Sequence, residues 1–370
     1  MNLLQRWFGR PGAVRRWALA SVIANVGIIV TGGAVRLTES GLGCPEWPKC
    51  TTDSLVATPE MGIYGAIEFG NRVLTWVLVA IAIGALVAAW RRIPRRSSLV
   101  KLAFGACLYV PVQAIIGGIT VWTGLNPWVV GLHFLASIPL VALSVALYVR
   151  SGEPDGEVVP LVPHPVRLLA RGLVGVAFAV IVLGVVVTGS GPHAGDAETP
   201  RNGLDPALMS QFHADLVWLL LGMTVALIAA LHAVKAPALA KRAAYTLLVV
   251  ELLQGVIGYT QYYLDLPVLL VGLHMLGAGV LWVAVVAVPF SLRRREPSIE
   301  AAPLHYEIHG DREGDRILDP EPVALPWNDL DGGVVRAQQL RVARKQRRAE
   351  QFGERDVCGV IGVEVVSQCP

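Results

Sequence analysis

Charge is scarce in this chain. Only 16% of the 370 residues are Asp, Glu, Lys or Arg, against 54% hydrophobic, and the mean hydropathy of +0.55 lies outside the range of soluble globular domains. An ordinary soluble enzyme is thereby excluded, and the class is integral membrane. The formal net charge is only +3, so no nucleic-acid partner is expected. Cysteine is sparse too, five in all, and each is read by position below. The first apolar run lacks a clear small-residue cleavage site and is too long for a typical signal-peptide core, so it reads as a retained helix.

What the chain has is long apolar runs. Segments able to cross a bilayer core of about 30 Å fall at 17–35, 73–90, 102–122, 129–149, 172–189, 216–234, 243–263 and 268–290. Basic residues gather on one side of these spans: Arg6, Arg10, Arg15 and Arg16, then Arg91, Arg92, Arg95, Arg96 and Lys101, the 150–171 segment, Lys235 with Lys241 and Arg242, and Arg293 to Arg295. The alternate loops hold only Arg36, Lys49 and Arg201. This asymmetry puts both termini in the cytoplasm and the 36–67 and 189–212 loops outside. The expected organisation is a cytoplasmic N-terminus (1–16), a first four-helix bundle (17–149) with its outer loop 36–67, a cytoplasmic linker (150–171) and a second bundle (172–290). A charged, Pro-containing tail (291–370), with a basic run from Arg341 to Arg348, reads as a solvated and partly disordered cytoplasmic extension.

The two bundles repeat one another. Gly131-Leu132-His133 recurs as Gly272-Leu273-His274, and Gln113 and Gly117 recur as Gln254 and Gly258, all at an offset of 141 residues. Each half holds four spans, an even number, which makes the repeats parallel. The expected fold is all-α integral membrane, with eight transmembrane helices as two four-helix bundles related by a pseudo-twofold axis along the membrane normal. An imidazole in lipid costs free energy unless it binds something, so a repeat that preserves one suggests a site built twice.

Topology sorts the eight histidines. His164, His305 and His309 lie in cytoplasmic segments and His232 ends a helix on that side, where solvent exposure accounts for them. His133, His213 and His274 begin helices 4, 6 and 8 near the outer interface, and His193 lies in the outer loop after helix 5. His213 and His274 belong to one half and can face each other at one depth. That suits a bis-histidine haem, whose iron takes an imidazole on each face; a non-haem metal would want three or more protein ligands. The plainer alternative is two histidines hydrogen-bonded between helices.

In the first half the position matching His213, at an offset of 142, is Asn71. A haem held by His133 would then have an open or weakly occupied sixth position. Glu68, Asn71 and Arg72 group at the outer end of helix 2 by their i, i+3, i+4 spacing. The carboxylate can serve as proton acceptor or water-positioning group and the guanidinium as partner for a propionate; the plainer alternative is an interfacial ion pair. Glu251, deep in helix 7, matches Val110 and so is no part of a shared site. It is either functional or protonated and hydrogen-bonded to a neighbouring helix.

Cys44 and Cys50 close a short loop on the outer, oxidising side and are well placed for a disulfide, as a staple or as a pair open to thiol exchange. The matching 189–212 loop has no cysteine pair. Cys107 reads as a packing residue, and Cys358 and Cys369 as reduced tail thiols.

The stretch Thr31-Gly32-Gly33-Ala34-Val35-Arg36-Leu37-Thr38-Glu39-Ser40-Gly41-Leu42-Gly43-Cys44-Pro45-Glu46-Trp47-Pro48-Lys49-Cys50, with Glu68-x-x-Asn71-Arg72 and the two Gly-Leu-His segments, resembles the haem A synthase family over roughly residues 17–290. The resemblance implies oxidation of the C8 methyl of haem O to a formyl group by successive hydroxylations, giving the haem A of cytochrome c oxidase. It implies a haem b cofactor in the C-terminal half, held by His213 and His274, and substrate haem O in the N-terminal half, ligated by His133. Glu68 becomes the carboxylate critical to the chemistry, and Cys44 with Cys50 the outer-loop pair. Asn71 departs from the pattern, since many members have histidine there; it can hydrogen-bond an iron-bound water or leave the site open. A second cysteine pair of some relatives is replaced by Thr188-Gly189-Ser190-Gly191-Pro192-His193-Ala194-Gly195-Asp196, where His193 is either a contact to a haem edge or an exposed loop residue. The partners to expect are a membrane electron acceptor and, beside them, haem O synthase, oxidase assembly factors and a second copy of the chain, in the cell membrane. Two other functions compete. A two-haem electron-transfer cytochrome predicts two complete ligand pairs, and a haem carrier or assembly chaperone gives Glu68 no specific task.

Overall fold

The computed structural model describes Phe8, residues 12–196 and residues 198–297. Among them are eight helices long and apolar enough to cross a membrane: α1 (Ala13–Leu37), α2 (Gly62–Arg91), α3 (Ser97–Trp122), α4 (Pro127–Gly152), α5 (His164–Ser190), α6 (Pro206–Ala233), α7 (Ala238–Tyr263) and α8 (Val268–Ser291). The protein is an all-α, multi-pass membrane protein. Helices suit these sequences because lipid offers no partner to a backbone amide, so every N–H and C=O must be satisfied within the segment. The basic run Arg341 to Arg348, His305, His309, Cys358 and Cys369 lie outside the described residues.

Sharp starts come from residues that set the first turn. Asn126 accepts from the Trp128 amide at 3.1 Å ahead of Pro127, and Asp205 accepts from the Leu208 amide at 2.7 Å ahead of Pro206, each a capping side chain followed by proline at the first helical position. These starts lie earlier than the apolar runs. Polar residues such as Glu68, Asn71, Gln211 and Asp215 end a hydrophobic run without ending a helix. His133 and His274 are therefore not at the beginnings of their helices. They lie nearly two turns inside α4 and α8, and His213 lies two turns inside α6.

The linker expected over 150–171 shrinks to the residues between Gly152 and His164, because Arg150, Arg167 and Arg171 ride on helix ends. Within it a short strand, β1 (Val158–Pro160), pairs antiparallel with β2 (Arg293–Arg295), the one departure from an all-helical chain among the described residues. Asp155 gathers this end of the molecule. It accepts from Arg96 Nε and Nη2 at 2.7 and 2.8 Å, from Arg150 Nη2 at 2.6 Å and from Ser98 at 2.8 Å. The hydrogen bond from Arg96 holds its carboxyl well below the usual carboxylate range, against partial burial, and Ser98 and the charge of Arg150 add to the effect.

At the centre α1, α4, α5 and α8 share a seam: α8 packs on α1, α4 and α5, and α4 packs on α1 and α5. Small residues permit the approach. A Cβ on Gly131 would come within 2.7 Å of Val185, one on Gly33 within 2.6 Å of Met275, and one on Gly279 within 3.1 Å of Val26. Trp282 Nε1 donates to the Ile138 carbonyl at 2.9 Å across the seam, and Val141, Leu173, Leu227, Leu247 and Val285 fill the core around it.

Candidate functional site

The end opposite Asp155 carries the loops 38–61 and 191–205 and the short turns before α4 and α8. His213 on α6 and His274 on α8 meet there, with ring centroids 6.4 Å apart and planes inclined at 75°. Two imidazoles that each offer a nitrogen to one metal at about 2 Å have centres roughly 6 Å apart, so the spacing fits a shared ion. His213 Nδ1 lies 3.0 Å from the Val180 carbonyl. A carbonyl can only accept, so Nδ1 carries the proton and Nε2 keeps its lone pair free. His274 Nδ1 is buried without a partner. Glycines face both rings: a Cβ on Gly184 would sit 3.2 Å from His213 Cε1, and one on Gly258 3.3 Å from His274 Cε1. No cluster of three or more His, Cys, Asp or Glu able to hold a metal exists among the described residues. The donor set is that of an axial pair, and it fits a haem iron.

His133 on α4 has the same surroundings without the facing imidazole. Gly117 lies against its ring, 3.1 Å from Cε1 to a built Cβ, and Gln113 Nε2 donates to its carbonyl at 3.4 Å, as Gln254 Nε2 does to the His274 carbonyl at 3.0 Å. Asn71, at the repeat position of His213, is tied to α1 instead: Thr31 Oγ1 donates to Asn71 Oδ1 at 2.7 Å.

Glu68 and Arg72 form the expected i, i+4 pair, and both turn toward the cysteine loop. Cys44 and Cys50 are disulfide-bonded and fully buried. Glu68 is 5% exposed; its Oε2 accepts from the Cys44 amide at 2.7 Å and its Oε1 from Arg72 Nε at 3.1 Å and from Nη2. Arg72 goes on to donate to the carbonyls of Glu46 at 2.8 Å, Lys49 at 3.0 Å and Cys44 at 3.0 Å. One guanidinium thus anchors the disulfide loop and the carboxylate together. Trp47, in the same loop, fills the space that Gly118 leaves and accepts at its carbonyl from Trp122 Nε1 at 3.0 Å.

The family described as cytochrome oxidase assembly protein, COX15-CtaA, matches residues 15–286, from the first turn of α1 into the last turns of α8. The chain belongs to this family. Similar curated proteins are the heme A synthase of Alkalihalophilus pseudofirmus, 27% identical over 188 residues that make up 50% of this chain and 61% of that protein. The heme A synthase of Listeria welshimeri is 31% identical over 140 residues, 38% of this chain and 46% of the relative. That of Lysinibacillus sphaericus is 32% identical over 150 residues, 40% and 44%. The chain spans about half the length of the curated relatives it matches.

The loop after α5 does a structural task beyond either expectation for His193. His193 is half-buried, with Nε2 3.0 Å from the Leu266 carbonyl. Arg36 donates to the carbonyls of Thr188, at 2.7 Å, and His193, and the Gly41 amide donates to the Gly195 carbonyl at 2.8 Å. The end of α1 is thereby locked to the loop after α5. Arg36, Thr31 and Gly184 were missed as working residues. For Thr31 and Gly184 the signal is a further repeat, Val26-Gly27-Ile28-Ile29-Val30-Thr31-Gly32 against Leu183-Gly184-Val185-Val186-Val187-Thr188-Gly189. Glu251 is buried on α7; its Oε1 accepts from Thr224 at 2.8 Å and its Oε2 has no partner. Cys107 is half-buried and packs beside Leu78, Ala82 and Val110.

Proposed function

We propose that this chain is a haem A synthase, which receives haem O in the half built from α1–α4 and oxidises its C8 methyl to a formyl group for cytochrome oxidase assembly. The observation that carries the reading is the asymmetry of the two halves: facing imidazoles 6.4 Å apart in one, and in the other a lone His133 with an asparagine, bound to Thr31, at the matching position. His213 and His274 would hold a resident haem b, which would supply one-electron transfer. With both of these histidines committed to that cofactor, the substrate chemistry is assigned to the other half.

His133 ligates the substrate iron through Nε2. Asn71, whose Oδ1 is engaged by Thr31, presents its Nδ2 as a donor. Glu68 is the proton acceptor, and the Cys44 amide and Arg72 fix both of its oxygens in place. Arg72 thereby acts as the anchor of Glu68 rather than as a propionate partner. Methyl to formyl is a four-electron change through an alcohol and a hydrated aldehyde; with a membrane electron acceptor taking the four electrons, water supplies the oxygen and four protons are released. The two halves are parallel bundles, the disulfide end lies outside and the basic end is cytoplasmic. Haem O synthase and oxidase assembly factors are the partners this activity calls for. A pure two-haem electron-transfer cytochrome needs a ligand opposite His133, where the repeat offers Asn71.

The test is product analysis. The full chain is expressed with a source of haem O, and the haems are extracted and separated. Haem A is expected to accumulate, and to disappear in Glu68→Gln while haem b stays bound. Haem O unchanged by the intact protein contradicts the proposal.

A further inference from the structure

Four buried polar atoms without hydrogen-bond partners fall into two matching couples: His133 Nδ1 with Gln113 Oε1, and His274 Nδ1 with Gln254 Oε1. In each couple the glutamine already touches its histidine, because its Nε2 donates to that residue's own carbonyl, at 3.4 Å in one half and 3.0 Å in the other. One turn further along α3 or α7, Gly117 or Gly258 lies against the same imidazole. Glutamine and glycine, four residues apart, thus share the helix face that meets the histidine. A buried donor or acceptor left unsatisfied is destabilising, and here a donor and an acceptor stand unsatisfied on residues already in contact. His213 has no such deficit, since the Val180 carbonyl lies 3.0 Å from its Nδ1.

We infer that Gln113 and Gln254 are positioning residues for the axial histidines: each Oε1 accepts the Nδ1–H of its histidine when Nε2 binds iron. The inference rests on the haem reading above and adds to it the groups that select the ligating tautomer. A metal-bound histidine nearly always donates its other ring N–H, which fixes the ring and makes the ligating nitrogen more basic. The pairing requires each carboxamide to reorient, since its Oε1 has no partner where it stands. Gly277 provides the room in the second half, where a Cβ would overlap Gln254 Oε1. In the first half Ala136 stands at that position, and Ser137 Oγ draws Gln113 Nε2 to 2.6 Å.

The test uses the full-length, haem-loaded protein and reads the midpoint potential of the low-spin haem in wild type, Gln254→Leu and Gln254→Glu. A more basic ligating nitrogen favours ferric iron. Gln254→Leu, without an acceptor, is therefore expected to raise the potential and to speed haem loss to apomyoglobin by roughly tenfold or more. Gln254→Glu, a stronger acceptor, is expected to lower the potential while the low-spin spectrum persists. Shifts of the same sign in both variants, or no shift in either, overturn the inference and leave the haem reading standing. Should the leucine variant not accumulate, Gln254→Glu decides alone, since an unchanged or raised potential contradicts the assignment. A wild type that binds no haem overturns the haem reading, and this inference with it.

Discussion

His133, His213 and His274 share a glycine against the imidazole, so what meets their ring atoms is made by backbone as much as by side chains. Gly184 and Gly258 lie against the imidazoles because they present no Cβ, so adding bulk there tests the pocket at one atom's resolution. In Gly184→Val the new side chain enters space 3.2 Å from His213 Cε1. Overpacking of that kind costs about 1–3 kcal/mol, which is roughly 5–150-fold in haem affinity; haem titration of the apoprotein measures it, and unchanged affinity would count against the site. The histidine pair and Asn71 were legible from the sequence because the repeat aligns them. Arg36 was not, because its acceptors are the carbonyls of Thr188 and His193, more than 150 residues away, and a carbonyl leaves no mark on a side-chain pattern. The role of Arg72 was half legible for the same reason: its pairing with Glu68 follows from i, i+4 spacing, while its three loop carbonyls do not.

The eight helices could be counted from hydropathy, but their lengths could not. α2 begins at Gly62 and α6 at Pro206, well ahead of the apolar runs, since hydropathy senses contact with lipid whereas a helix persists wherever its amides are bonded. Glu68, Asn71, Arg72 and His213 all lie in those extra turns, whereas His133 and His274 lie inside apolar runs, so hydropathy misses one side of each site. At the other end the linker strand β1 and its pairing with β2 were also invisible, being only three residues each. Asp155 holds that end together, and its depressed pKa has a sign that can be tested. Because its carboxyl titrates lower in the folded protein than in the unfolded chain, the stabilisation is complete above the unfolded value of about 4 and is lost as pH falls through the folded one. Asp155→Asn is expected to lower thermal stability at neutral pH by about 2 kcal/mol and to flatten the decline on acidification. Unfolding curves in detergent between neutral and acid pH distinguish this from an unchanged profile, which would mean that Arg96 and Arg150 are held by other groups.

At the scale of the whole molecule, composition decided the class, and the internal repeat pointed to two sites. The seam of α1, α4, α5 and α8 was not readable, since it is made by glycines meeting Val185, Met275 and Val26 and by one indole bonded to the Ile138 carbonyl, none of which stands out in an apolar background. The family match over residues 15–286 spans both halves and the seam between them, so the molecule is one unit with two unlike histidine sites. Its central claim is that the haem held as cofactor lies between His213 and His274 and that His133 serves a different haem. The most direct measurement is the low-spin haem spectrum of the purified full-length protein and of His213→Ala, His274→Ala and His133→Ala. The account predicts that the spectrum is lost in either of the first two and kept in the third; a spectrum that survives both of those substitutions, or vanishes with His133, contradicts it.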